Sequence, residues 1–175
     1  VVVSREMVDA APELKYIGVL ATAFGKIDVE YAKQKNIPVC NLAGYSTEAV
    51  AEFTIAAILE QIRGLEEGKR RGRSGNYSEV GIKAKELRGS NFGIIGLGNI
   101  GNRVAELASG FGANTSYWSR NKKDVPFTYK ELDELLRSSD YISINLAQVA
   151  ETENILNSER FNLLKPGTVV INTGP

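Results

Sequence analysis

The chain has 175 residues, with 21 Lys and Arg against 21 Asp and Glu, so its formal net charge is zero. Balanced charge gives no field to attract a nucleic acid or an anionic membrane surface, and no apolar run is long enough to span a bilayer. There is no histidine and only one cysteine, Cys40; this excludes a Ser-His or histidine-base mechanism and an internal disulfide within this stretch, makes a reducing cytoplasm the expected setting, and leaves no metal site predicted.

Val1-Val2-Val3 is strand-like and is preceded by no initiator Met, and the chain stops after another strand at Thr173-Gly174-Pro175. It is therefore expected to be a segment of a longer fold. Lys15 to Leu20 (KYIGVL) reads as a buried strand, Ala21 to Lys26 as a loop, and Ile27 to Gln34 as a short helix opened near Asp28. Pro38 to Asn41 reads as a second strand, with Cys40 a small buried hydrophobe. Two similar strands around a helix predict a parallel α/β unit. Gly44-Tyr45-Ser46-Thr47 is a turn, with Ser46 as N-cap and Glu48 in the first helical turn. A helix is expected from there to about Gly68, with Val50, Phe53, Ala57, Ile58, Ile62 and Leu65 on one face and Gly64 inside it. Lys69, Arg70, Arg71 and Arg73 read as its solvated end, and Gly72 to Gly81 as a polar linker or arm.

From Asn91 the pattern is regular. Strands are expected at Asn91 to Ile95, Ala113 to Trp118, Tyr141 to Leu146 and Thr168 to Asn172. Helices are expected at Asn99 to Phe111, Thr128 to Arg137 (with Thr128 and Glu131 as a capping box) and Ser158 to Leu164. This alternation predicts a Rossmann-type doubly wound parallel sheet with helices on both faces.

The first strand-to-helix junction carries the chemistry. Phe92, Ile94 and Ile95 run into Gly96-Leu97-Gly98-Asn99-Ile100-Gly101, and a helix follows at once. Gly96 permits the tight turn, Gly98 lets backbone approach a phosphate without a Cβ, and Gly101 lets helix and strand pack closely. The helix N-terminus offers free N–H groups to a pyrophosphate. A glycine turn alone is weak evidence; the strand before it and the amphipathic helix after it strengthen the dinucleotide reading over an ordinary turn.

The second strand ends Ser119-Arg120-Asn121-Lys122-Lys123, with no carboxylate at the tip where an NAD-binding fold places one for the ribose hydroxyls. Ser119 can donate to a 2′-phosphate, and Arg120 can pair with it or stack on adenine. NADP(H) is therefore favoured over NAD(H). The alternative is that these residues form a solvated turn and NAD binds without the acidic contact.

The motifs, in order, resemble the D-isomer-specific 2-hydroxyacid dehydrogenase family. They are Ala21 to Asp28, Asn36 to Asn41, Thr47 to Glu52, Glu86 to Gly89 with Gly93 to Gly101, Leu132 to Leu136 with Asp140, and Leu164 to Gly167 with Ile171 to Thr173. The Ser119-Arg120 tip is similar to the NADPH-using glyoxylate and hydroxypyruvate reductases of that family. The resemblance implies residues 1–43 as part of a flavodoxin-like α/β substrate domain and 44–175 as a partial Rossmann domain, with 44–75 as a crossover helix that pairs two subunits into a homodimer. It implies hydride transfer between a nicotinamide and a small 2-keto or 2-hydroxy acid. The backbone amides of Thr22, Ala23, Phe24 and Gly25 would hold the substrate carboxylate. Leu146, Ala147, Thr152 and Thr173 would complete the cofactor site, Thr152 on the nicotinamide side. Ala147 stands where the family often has proline, and Ala23 where glycine is frequent. The family's arginine falls where this sequence reads Gly174-Pro175, and its glutamate and histidine lie further on, so no catalytic residue is assigned. Two other classes remain open: a non-catalytic dinucleotide sensor like the family's corepressors, and a formate or phosphoglycerate dehydrogenase. The carboxylate-free tip counts against an NAD-specific phosphoglycerate enzyme.

Overall fold

The computed structural model describes residues 2–147 and 149–174. The chain forms two compact units, Val1–Ser46 and Thr47–Pro175. Among the described residues, no helix is long and apolar enough to cross a membrane.

In the first unit, β1 (Val2–Val3) pairs in parallel with β3 (Lys26–Ile27), and β2 (Ile17–Val19) pairs in parallel with β4 (Val39–Asn41). Helices α1 (Arg5–Asp9) and α2 (Val29–Gln34) begin at Ser4 and Asp28, whose side chains accept the Met7 and Tyr31 N–H groups. Val8, Ile17, Val19, Ile27, Ala32 and Ile37 form the core. Three expectations change here. Helix α1 is an additional element, signalled by Ser4 ahead of Glu6. Ile27 belongs to a strand, because the Asp28 cap starts the helix after it. Cys40 is exposed rather than buried: side chains alternate along β4, and it is Val39 that packs on the core.

The second unit contains α3 (Thr47–Arg63), α4 (Leu65–Arg73), β5 (Asn91–Ile95), α5 (Asn99–Gly110), β6 (Asn114–Trp118), β7 (Thr128–Tyr129), α6 (Leu132–Ser138), β8 (Tyr141–Ile144), α7 (Ser158–Phe161) and β9 (Val169–Asn172). The five strands form one parallel sheet in the order β7-β6-β5-β8-β9. Central β5 is buried on both faces. Phe92 and Ile94 pack with α3 and α5, while Ile95 packs with Leu132, Leu135 and Leu136 of α6. Each such fully buried aliphatic side chain contributes about 1.5–3 kcal/mol of burial, and this two-sided core fixes where β5 ends. At the opposite end of the sheet, Asp140 accepts the Asn91 N–H and a bond from Lys165. Burial works against the Asp140 carboxylate, but Lys165 and the Asn91 N–H outweigh it and hold its pKa below the ordinary aspartate value.

The long helix expected from Thr47 to about Gly68 is two helices. Gly64 sits between them in the left-handed region, at φ 62, a conformation glycine adopts at no steric cost. Ala51, Ile55, Ile58 and Ile62 of α3 face the core, whereas Phe53 is 65% and Leu65 44% exposed, so these two leave the buried face. The basic run is not simply solvated. Glu67, whose pKa is held down to about 2 by Arg70 and Arg71, pairs with both, and Arg71 also donates to the Ser78 and Val80 carbonyls. The helix expected at Thr128 starts only at Leu132, and its capping box does not form. Thr128 and Tyr129 instead complete the sheet edge beside Ser116 and Tyr117, with the Tyr129 ring edge-on to Tyr117 at 5.5 Å. A β-branched and an aromatic residue suit that half-buried edge better than a helix start.

Candidate dinucleotide site

The parallel sheet brings the C-terminal ends of β5, β6 and β8 together, and the glycine turn leaves β5 at their centre. Gly96 has φ 92 and donates its N–H to the Trp118 carbonyl at 2.9 Å. A Cβ at Gly96 would lie 2.8 Å from the Asn145 carbonyl oxygen, and one at Gly101 only 2.0 Å from the Gly96 carbonyl oxygen. Both positions are closed to any side chain unless the backbone moves. At Gly98, the N-cap of α5, a Cβ would meet nothing within 4 Å. The turn is thus packed tight beneath and open in front. No acidic residue occupies the first turn of α5, so its N–H groups and positive dipole end face the opening without a neighbouring counter-charge of their own helix. The cradle fits a pyrophosphate.

That opening is a cleft of about 400 Å³. Gly96, Leu97 and Gly98 line one side, Ser119, Arg120, Asn121 and Lys123 the next, and Asn145, Leu146 and Ala147 the third. Ser119 is nine-tenths buried, and its hydroxyl donates to the Asn121 carbonyl at 2.6 Å. Arg120 is exposed, and among the described residues it has no ion-pair partner. The Lys123 ammonium donates to the Leu97 carbonyl. Asn145 donates through Nδ2 to the Ser143 hydroxyl at 3.0 Å, while its Oδ1 is buried with no donor among the described residues.

The remaining cofactor candidates lie around this cleft. Asn99 lines a neighbouring cleft of about 460 Å³ that also contains Glu48, Arg103 and Lys123. Arg103 there pairs with Glu48 at 2.8 Å and Glu106 at 2.9 Å, joining α5 to the first turn of α3. Ile100 points into the hydrophobic packing beside α5. Thr152 lines a third cleft of about 280 Å³ that shares Leu146 and Ala147 with the first. Its hydroxyl donates to the Ala147 carbonyl at 2.6 Å and accepts the Val149 N–H at 3.1 Å, closing the loop on itself. Thr173 lies between two lining residues, Asn172 and Gly174, and does not itself line that cleft. Thr22, Ala23, Phe24 and Gly25 form an exposed loop of the first unit. Gly25 there takes φ 64, and the Thr22 carbonyl accepts a bond from the Asn41 amide. Lys123 and Asn145 are the lining residues that sequence reasoning did not select.

Residues 55–175 match the family model described as the D-isomer specific 2-hydroxyacid dehydrogenase, NAD binding domain. The glyoxylate reductase of Aeropyrum pernix is 36% identical over 97% of this chain and 54% of its own length. The D-lactate dehydrogenase of Aquifex aeolicus, solved with NAD and lactic acid, superposes with a TM-score of 0.90 at 36% identity, over 98% of this chain and 53% of that one. An acyclic imino acid reductase solved with NADPH and D-arginine superposes with a TM-score of 0.91 at 32% identity, over 99% of this chain and 57% of that one. The chain spans about half the length of the relatives it matches. Family match, identity and superposition agree: the chain belongs to the D-isomer-specific 2-hydroxyacid dehydrogenases.

Proposed function

We propose that the chain is the nucleotide-gripping part of an NADPH-preferring oxidoreductase acting on a small 2-keto acid, with glyoxylate and hydroxypyruvate as first candidates. The observation that carries this reading is the composition of the 400 Å³ cleft: the glycine turn shares it with Ser119, Arg120 and Lys123, and among the described residues no carboxylate lines it. A 2′-phosphate would meet cations there, and ribose hydroxyls would find no acidic acceptor. The nicotinamide, when bound, supplies the hydride. Gly96 to Gly101 and the start of α5 would hold the pyrophosphate, and Arg120 would pair with the 2′-phosphate or lie on the adenine. Leu146, Ala147 and Thr152 would bound the nicotinamide side. In the first unit, read as residues 1–43 of a substrate domain, the backbone amides of Thr22 to Gly25 would take the substrate carboxylate. The second unit, from residue 44, is the nucleotide domain in this reading. The protein acts as a cytoplasmic homodimer paired through α3, whose outward Phe53 is 65% exposed.

Cofactor consumption by the full-length protein tests this. With glyoxylate or hydroxypyruvate, kcat/KM is expected to be at least about tenfold higher with NADPH than with NADH, the discrimination of one charge-assisted contact. Faster turnover with NADH and pyruvate would replace the reading with a lactate-type enzyme.

A further inference from the structure

We infer that a small cavity at the end of the sheet opposite the glycine turn binds an oxyanion of phosphate size, through Lys85, Lys165 and Tyr141. The inference is independent of the cofactor reading above.

The cavity lies within the second unit, where β8 and β9 begin, and has a volume of about 80 Å³. That is room for several waters or one small ion, and not for a nucleotide. Its walls are Lys85, Asp140, Tyr141 and the turn Lys165-Pro166-Gly167-Thr168. Tyr141 opens β8 beside Phe92, with the two rings 6.3 Å apart, and is only 4% exposed. The ring belongs to the core packed with α3 and α5, which leaves the hydroxyl as the group it presents to the cavity. Among the described residues this hydroxyl has no hydrogen-bond partner, although a buried phenol ordinarily finds one. Burial, and then the Asp140 carboxylate, raise the Tyr141 pKa, so the phenol keeps its proton and remains a donor.

The charges around the cavity do not cancel. Asp140 is engaged at both oxygens, by Lys165 and by the Asn91 N–H at 2.8 Å. Lys165 also donates to the Ser138 carbonyl at 2.9 Å, so one of its three N–H groups remains. The Thr168 hydroxyl gives its proton to the Ser139 carbonyl at 3.3 Å and shapes the wall. Lys85 has no carboxylate partner among the described residues. Its backbone N–H donates to the Ile62 carbonyl at 2.8 Å, which holds this stretch against the end of α3. Two ammonium groups thus share a cavity with one carboxylate that is already paired. Spare donors from Lys85, Lys165 and Tyr141 converge there, and the excess charge is positive. A cation would be repelled. An oxyanion carries several acceptor oxygens and can answer donors on different walls at once.

Thermal melting of the full-length protein without cofactor tests the site, with inorganic phosphate as the probe. In about 50 mM sodium phosphate the parent is expected to melt about 3 °C or more above its value in sodium chloride of equal ionic strength. Lys85→Gln removes the unpaired charge, and Tyr141→Phe removes only the hydroxyl. Each is expected to lose at least about half of that gain. Lys85→Arg keeps the charge and is expected to retain the gain to within about 1 °C. Phosphate also stabilises proteins by exclusion from their surface, and it would settle at the glycine turn as well. Both effects act alike on parent and variants. An equal gain in the parent, Lys85→Gln and Tyr141→Phe would therefore overturn the inference, as would no gain in the parent. If one variant fails to melt cooperatively, the other decides.

Discussion

Adding a methyl group distinguishes Gly98 from Gly101. At Gly101 it would collide with the Gly96 carbonyl at 2.0 Å; at Gly98 it would enter open space. Gly101→Ala is therefore a packing defect, expected to destabilise the fold by about 1–3 kcal/mol and to show as a lower melting temperature. Gly98→Ala is expected to leave the melting temperature unchanged and to weaken NADPH binding by about tenfold or more, because the methyl takes the room of a phosphate. A Gly98→Ala protein that binds NADPH normally would show that the pyrophosphate does not sit over this turn. The roles of these glycines can be read in sequence because they are local: strand, turn and helix are contiguous. The contact of Lys123 cannot, because its partner Leu97 lies on the previous βα unit and comes close only when the sheet forms. Ser119 shows the same limit from the other side. Its position at the strand tip is readable, but its bond to the Asn121 carbonyl depends on how the loop turns back.

Elements with strong periodicity were found where expected. β5, with its continuous apolar run, and α5, with its glycine entry and exit, match to within a residue. The misses occur where a local signal competed with the sheet or with backbone geometry. Thr128 and Glu131 have capping-box spacing, yet Thr128 joins the sheet edge. Gly64 reads in sequence as a glycine within one helix, yet it adopts φ 62 and divides α3 from α4. Helical spacing puts Phe53 on one face with Ile58 and Ile62, but Phe53 projects outward. Phe53 is thus an exposed aromatic outside the face of α3 that packs on the core, and in the dimer proposed above it would lie against a second copy. Burying Phe53 would contribute about 1.5–3 kcal/mol in each subunit. Phe53→Asp is expected to raise the dimer dissociation constant by about a hundredfold or more, read by sedimentation at fixed concentration, with unchanged helical content. A parent protein that sediments as a monomer, or a variant that stays dimeric, would show that α3 does not pair subunits.

In the molecule as a whole, the parallel order β7-β6-β5-β8-β9 sends the ends of β5, β6 and β8 to one edge. The same edge gathers the glycine turn, the cationic tip and the loop after β8, so fold and site share one cause. Asp140, paired with Asn91 and Lys165, secures the opposite edge. The family follows from the whole chain, whereas the proposed nucleotide preference rests on a few side chains at one strand tip, and relatives solved with NAD and with NADPH both share this fold. Cofactor choice is therefore the claim most exposed to test. The 175-residue chain has a single tryptophan, Trp118, which ends β6 beside that tip. Titrating its fluorescence with NADPH and with NADH measures the preference directly. NADPH is expected to bind at least about tenfold more tightly; equal or tighter binding of NADH would contradict the account.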